Sequence, residues 1–360
     1  MNEKTRIQIE EMKKQTIGVE VEMYNITREK AARTIAEYFH TEGTVKYIGG
    51  SYSAWACKDN KGREWKITRD SSIQAASDDE KAELGTPILT YEDIPDLQEI
   101  LRQLRHKGAK SDPAHMCGVH IHIGLNGHTP KSLRNLANIM ASHESLLISA
   151  MRLDRNRINR YCRTVDPSFL ERLNRRKPKT MEQLADIWYE GVWGSRNQHY
   201  NDSRYRMLNY HACFTHKTIE FRCFQFANAG NGRKGGLHAG ELKSYIQLCL
   251  ALSQMAKTVA SASPKQPQVE NPKYAMRTWL LRLGFIGDEF KTAREHLLKA
   301  LPGCIAWRDP AQAEQQKERM RQKKEKELEQ ARQAAGEADP TAPEPIEAEA
   351  EDAPAFTMRM

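Results

Sequence analysis

An α+β fold built on a mainly antiparallel sheet is the expectation for this chain, and two observations carry it. Three segments alternate apolar and polar residues, TIGVEVEMY at 16–24, CGVHIHIGL at 117–125 and TIEFRCF at 218–224, as strands that bury one face do. Between them, helical patterns and short strands are mixed without the regular strand–helix alternation that a parallel sheet requires.

Taken in order, residues 1–15 form a charged leader, read as a short helix or as disordered. After the first alternating strand, Thr27 caps a helix over REKAARTIAEYF. Short strands follow near Thr44–Ile48, Ser53–Cys57 and Glu64–Thr68, and Asp59-Asn60-Lys61-Gly62 makes the last two a hairpin. An extended piece at Ala82–Pro87 precedes a helix at Ile94–His106, and Pro130 opens a long amphipathic helix. Residues 152–200 read as polar and helical, Met207–Phe214 and Lys217–Phe226 as strands, Glu241–Ala256 as a strongly apolar helix, and 272–300 as one or two more helices. Residues 311–335 suit an isolated charged helix, and 336–354, acidic and rich in Pro and Ala, are expected to be disordered.

Composition bounds the function. With 360 residues, 39% of them hydrophobic, the chain can bury a substantial core. No apolar run approaches the roughly 18 residues of a membrane span, and the N-terminal residues lack the apolar stretch of a secretory signal. Seven scattered cysteines without a CxxC pair argue against a disulfide framework and a zinc ribbon, so a reduced cytoplasm is expected. The net charge is +8, yet residues 311–360 carry 8 basic against 12 acidic side chains, leaving the body at +12. A basic body suits an anionic partner: nucleotide, phosphate or nucleic acid.

The polar positions of the three alternating strands come in pairs. Glu20 and Glu22 share one strand face, as do His120 and His122, and Glu220 and Arg222. Taken singly, each pair also fits a solvated face, two satisfied histidines or a local salt bridge. Together, with Glu83 and Asp70 next to strand ends, they describe one polar sheet face that holds cations. A carboxylate-dominated set favours Mg²⁺ or Mn²⁺, and Arg222 among carboxylates suits an anion the metals also hold, most simply a phosphate.

These residues resemble the amidoligase family, carboxylate–amine ligases of the glutamine synthetase and glutamate–cysteine ligase superfamily. The matching pieces are GVEVEM at 18–23, WKITRDSSI at 65–73, ELGTPIL at 83–89, CGVHIHIG at 117–124, RYRMLNY at 204–210 and TIEFRCF at 218–224. The resemblance implies a single catalytic domain over 16–305, with a curved sheet of the glutamine synthetase catalytic type and helices on its outer face. It implies ATP and Mg²⁺ (or Mn²⁺), with Glu20, Glu22, Glu83, His120 and Glu220 as metal ligands. It places His122 near the nucleotide phosphate, Arg222 on the transferred phosphoryl group and Asp70 on the substrate side. The segment around Asp70 reads DSSIQ where the family more usually has D-G-S-L. The partners implied are small-molecule or peptide carboxylates and amines.

Other features have plainer readings. The arginine-rich stretch 152–180 is either a solvated face or an anion funnel; a nucleic-acid groove would interleave aromatics, and only Tyr161 and Phe169 lie there. Alternation puts Arg204 and Arg206 on one face, with one of them near a phosphate. The glycine-rich Gly230–Gly240 is a plain loop or a mobile cover; Cys117 is expected to be buried; Trp188 and Trp193 pack in the core, form a lid or line an amine pocket. Two rival functions leave residues unexplained. A metal-dependent hydrolase using His120 and His122 has no use for the Glu20/Glu22 and Glu220/Arg222 pairs, and a non-enzymatic basic binding protein has no use for any of the three.

Overall fold

The computed structural model describes residues 3–198, 200–227, 236–306 and 308–336. The chain divides into two compact units, Met1–Arg308 and Asp309–Met360.

The first unit is built on one eight-stranded sheet. Its strands are β1 (Ile17–Met23), β2 (Lys46–Gly49), β3 (Ala54–Lys58), β4 (Glu64–Thr68), β5 (Ala82–Gly85), β6 (Val119–Gly124), β7 (Leu208–Asn209) and β8 (Thr218–Phe224). They lie in the order β2-β3-β4-β5-β1-β6-β8-β7, and every neighbouring pair is antiparallel. The long alternating strands β1, β6 and β8 are adjacent, because each has an apolar face that only a shared core can bury. Ile17, Val19, Val21, Val119, Ile121, Ile123, Ile219 and Phe221 are all inaccessible to solvent and belong to one core.

Helices supply the other half of that core. They are α1 (Glu3–Lys13), α2 (Arg28–Phe39), α3 (Ile94–His106), α4 (Pro130–Met151), α5 (Arg155–Arg160), α6 (Pro167–Arg176), α7 (Met181–Tyr189), α8 (His211–Thr215), α9 (Ala239–Thr258), α10 (Pro272–Arg282) and α11 (Lys291–Lys299). Helix α9 is apolar nearly all round and touches β6, α1, α3, α4 and α11, the position such a helix must take. The charged leader is helix α1, and its Ile9 and Met12 are buried in the same core. Thr27 caps α2 by accepting from Lys30 N at 3.2 Å, and Asp59 Oδ1 accepts from Lys61 N and Arg63 N to close the β3–β4 hairpin.

One expected strand is mostly absent. Within Met207–Phe214 only Leu208 and Asn209 pair, and His211–Thr215 is helical. Asn209 Oδ1 accepts from His211 N at 2.8 Å, a side-chain bond that turns the backbone out of the ladder. The next side chain, Tyr210, is buried with its hydroxyl donating to Leu133 O.

In the second unit, α12 (Pro310–Gly336) is one charged helix with ion pairs at i,i+3 and i,i+4 spacing, such as Arg321 with Glu318 and Glu325. The acidic stretch from 337 onward lies outside the described residues.

Candidate active site

Strand register assembles the polar face. Pairing sets Glu20 opposite His120, Glu22 opposite Glu83, and His122 and Asn209 opposite Glu220. Between the Ile121–Phe221 and Val119–Phe224 pairs β8 carries one residue more than β6. This bulge at Arg222–Cys223 is a common device for re-aiming a side chain beside a site.

Hydrogen bonds lock the face. His120 Nδ1 lies 2.9 Å from Glu20 Oε2, and its Nε2 lies 3.7 Å from Glu22 Oε1. Glu22 Oε2 accepts from Gly118 N at 2.5 Å. His122 Nδ1 is 2.9 Å from Thr218 Oγ1. Glu220 accepts from Asn209 Nδ2 at 2.6 Å and from the Arg222 guanidinium. Arg222, 5% exposed, also lies over the Tyr205 ring.

The charges are unequal in their environments. Burial works against the Glu20 carboxylate, but His120 and His122 outweigh it and hold Glu20 well below the usual carboxylate range. Glu220 is likewise buried, yet Arg222 and His122 hold it down at about 2. Burial lowers the basicity of His122, but Glu220 and Glu20 raise it above its ordinary value. Glu83 goes the other way: burial, then Glu20, Glu22 and Asp70 beside it, push its carboxyl well above the usual range. A carboxyl driven toward its neutral form by neighbouring carboxylates marks a place where a cation relieves repulsion.

Three groups of ligand atoms are close enough to share an ion: Glu20, Glu83 and His120; Glu20, His122 and Glu220; and Glu22, Asp70 and Glu83. His122 Nε2, buried, makes no well-formed hydrogen bond among the described residues and lies 3.4 Å from Glu20 Oε1 and 4.0 Å from Glu220 Oε1. The carboxylate-rich donor set, with a histidine nitrogen among the carboxylates, fits a hard divalent cation. Asp70 thus joins Glu22 and Glu83, with its Oδ1 also accepting from Ser72 N at 2.6 Å.

Glu20, Glu22, Glu83, His120, Asp70 and Arg222 all line one cleft of about 780 Å³. Arg204 also lines it, its guanidinium 5.5 Å from the Tyr200 ring centroid. Arg206 does not share that face. It donates to Thr164 O and Asp166 and lines a second cavity of about 460 Å³ with Trp188 and Trp193. Residues 202–204 form a 3₁₀ turn, so two-residue alternation does not hold there. Trp188 is buried and donates to Ser203 Oγ, whereas Trp193 is 92% exposed. Cys117 is buried, and burial raises its thiol above the ordinary range. Residues 230–235 of the glycine-rich stretch lie outside the described residues.

Sequence reasoning missed three contributors, Tyr52, Tyr200 and Asn209, and left Arg157 among arginines read either as a solvated face or as an anion funnel. Arg157, hidden in the arginine-rich stretch, is buried and lines the cleft. Tyr52 and Tyr200 also line it, and their hydroxyls lie 2.9 Å apart, joining the β2–β3 turn to the 190–205 loop. Asn209 orients Glu220. Of the three missed residues, Asn209 carried a signal, lying in the matched RYRMLNY segment.

Curated proteins contain no significant sequence match. One solved structure to which the chain is similar is a bifunctional glutathione synthetase from Pasteurella multocida, 11% identical, with a TM-score of 0.42. The match covers 83% of this chain and 49% of that one, so this chain spans about half its length. A family model described as "Putative amidoligase enzyme" matches residues 13–253, which include every strand of the sheet, and the chain belongs to that amidoligase family.

Proposed function

We propose that this protein is an ATP- and Mg²⁺-dependent ligase that joins a carboxylate to an amine through an acyl phosphate. Membership of the amidoligase family supports an amide-forming ligase in general. The finer reading rests above all on one observation: three same-face pairs, Glu20/Glu22, His120/His122 and Glu220/Arg222, converge with Glu83 and Asp70 in and beside one cleft. We take the sheet to be of the glutamine synthetase catalytic type.

In this reading Glu20, Glu22, Glu83, His120 and Glu220 hold the cations, Asp70 sits at the substrate edge, and His122 and Arg204 face the nucleotide. A divalent ion bound there neutralises the charge of the phosphates as the terminal group moves. The substrate carboxylate attacks the γ-phosphorus, the bond to ADP breaks, and an acyl phosphate forms. The amine then attacks the acyl carbon, phosphate leaves, and the nitrogen loses a proton. Arg222 faces the phosphoryl group in flight, its fixed charge aimed at oxygens that gain charge in the transition state. Glu220 and Asn209 keep that guanidinium in place.

The alternative of a hydrolase built on the two histidines is less well supported. Among the described residues His120 and His122 fall in different ligand groups, so they do not form a two-histidine centre. The experiment is phosphate release from Mg·ATP with pooled carboxylates and pooled amines. A ligase releases phosphate only when both pools are present, or with the acid pool slowly and the amines as stimulants. Release of amine from amides without ATP would favour the hydrolase.

A further inference from the structure

Among the basic residues between 152 and 179, Arg157 alone is buried, at 1% exposure. Helix α5 carries it, and Asp154 caps that helix. Its Nη1 donates to Met116 O at 3.2 Å and its Nη2 to Phe224 O at 3.5 Å, so the guanidinium spans the ends of β6 and β8. Its nearest carboxylate oxygen, Glu22 Oε2, is 3.7 Å away and already accepts from Gly118 N. The Arg157 Nε has no hydrogen-bond partner among the described residues. A buried guanidinium with an unmet donor is costly to keep unless something completes it.

Arg222 repeats the pattern. It too is buried, lines the same cleft and has an Nε without a partner among the described residues. Arg222 stands beside Glu220, and Arg157 beside Glu22, so each guanidinium adjoins a carboxylate of the face.

Gly118 makes this arrangement possible. A Cβ there would lie 1.9 Å from Arg157 Nη2 and 2.4 Å from its Cζ. Gly118 is not in the left-handed region, so a methyl group would meet the guanidinium rather than strain the backbone.

We propose that Arg157 is a second oxyanion-binding residue of the cleft, taking a phosphoryl group jointly with Arg222, and that Gly118 is glycine to admit it. The proposal rests on the ligase reading for the source of that group, the terminal phosphate of ATP rather than free phosphate.

The test uses the full-length protein with Mg²⁺ and calorimetric titration of three probes: the non-hydrolysable ATP analogue AMPPNP, ADP and inorganic phosphate. The variants are Arg157→Met, Arg157→Lys, Gly118→Ala and the Arg157→Met/Gly118→Ala double, each checked by thermal unfolding. Arg157→Met should weaken AMPPNP by about tenfold or more, the loss of a charge-assisted contact, and ADP by less than about twofold. Gly118→Ala should reproduce that loss, and adding it to Arg157→Met should change nothing further. If Arg157→Met does not fold, Arg157→Lys and Gly118→Ala carry the same comparison. Unchanged AMPPNP binding in folded variants would overturn the proposal and leave Arg157 as a strut between strand ends. Wild-type protein that binds phosphate through Arg157 but no nucleotide would keep the oxyanion site and refute the ATP reading. Wild-type protein that binds neither would refute both.

Discussion

Glu22 on β1 stands directly across from Glu83 on β5, and Asp70 brings a third carboxylate within reach of both. Two neighbouring carboxylates on a sheet, one of them pushed toward its neutral form, are held together against their repulsion by the fold around them.

Cation binding should therefore expel a proton. Glu83 is raised above its ordinary 4.5 chiefly by burial and then by its acidic neighbours, so it holds a proton more readily than a free carboxyl does, and a bound cation competes with that proton. Titrating MnCl₂ in buffers of different ionisation enthalpy should reveal proton release that grows as the pH is lowered, and Glu83→Gln should abolish it. The stability of the metal-free protein follows the same sign. The contribution of Glu83 is fully present below about 4.5 and is lost as pH rises through its elevated folded value. Added Mn²⁺ should offset that loss.

The two faces of β6 should answer differently to mutation. Ile121 is fully buried on the core side, so Ile121→Ala should cost about 2–5 kcal/mol and lower Tm. His120 faces the carboxylates, so His120→Asn should weaken Mn²⁺ binding with a smaller effect on unfolding. Thermal unfolding and Mn²⁺ titration of both variants check the division.

Arg222 and Glu22 should separate chemistry from anchoring. Arg222→Lys keeps the charge but loses the planar fork, so it should lower kcat by roughly 10²-fold while ATP affinity changes little. Glu22→Gln should weaken Mg²⁺ and ATP binding as well as turnover. Single-turnover phosphate release, alongside ATP titration, distinguishes the two patterns. Normal turnover in Arg222→Lys would return the arginine to a salt bridge with Glu220.

Removing the tail should matter little. The second unit is a single charged helix followed by acidic sequence, and the residues of the cleft all precede it. Truncation after Pro310 should leave nucleotide affinity within about threefold, as calorimetry would register; a loss comparable with Glu22→Gln would contradict this.

The site was legible in the sequence wherever a two-residue period governs. Glu20, His120 and Glu220 share a face because the valines and isoleucines between them force the other face inward. Where side chains bend the backbone, the period fails. Asn209 ends β7 after two residues, and the 3₁₀ turn before Tyr205 sends Arg204 and Arg206 to different cavities. Arg157 could not be told from the other arginines of its stretch for another reason. Its neighbours Arg155 and Arg160 are exposed, and only the missing Cβ of Gly118, some forty residues earlier, makes room for it.

The measurement that tests the central claim most directly is calorimetric titration of ATP with and without Mg²⁺ in wild-type protein and Glu22→Gln. A metal–nucleotide site predicts binding in the range of about 1 μM to 1 mM, as for typical enzyme substrates, that requires the divalent ion and weakens by about tenfold or more in the variant. No Mg²⁺-dependent binding up to millimolar ATP, or binding indifferent to Glu22, would contradict it.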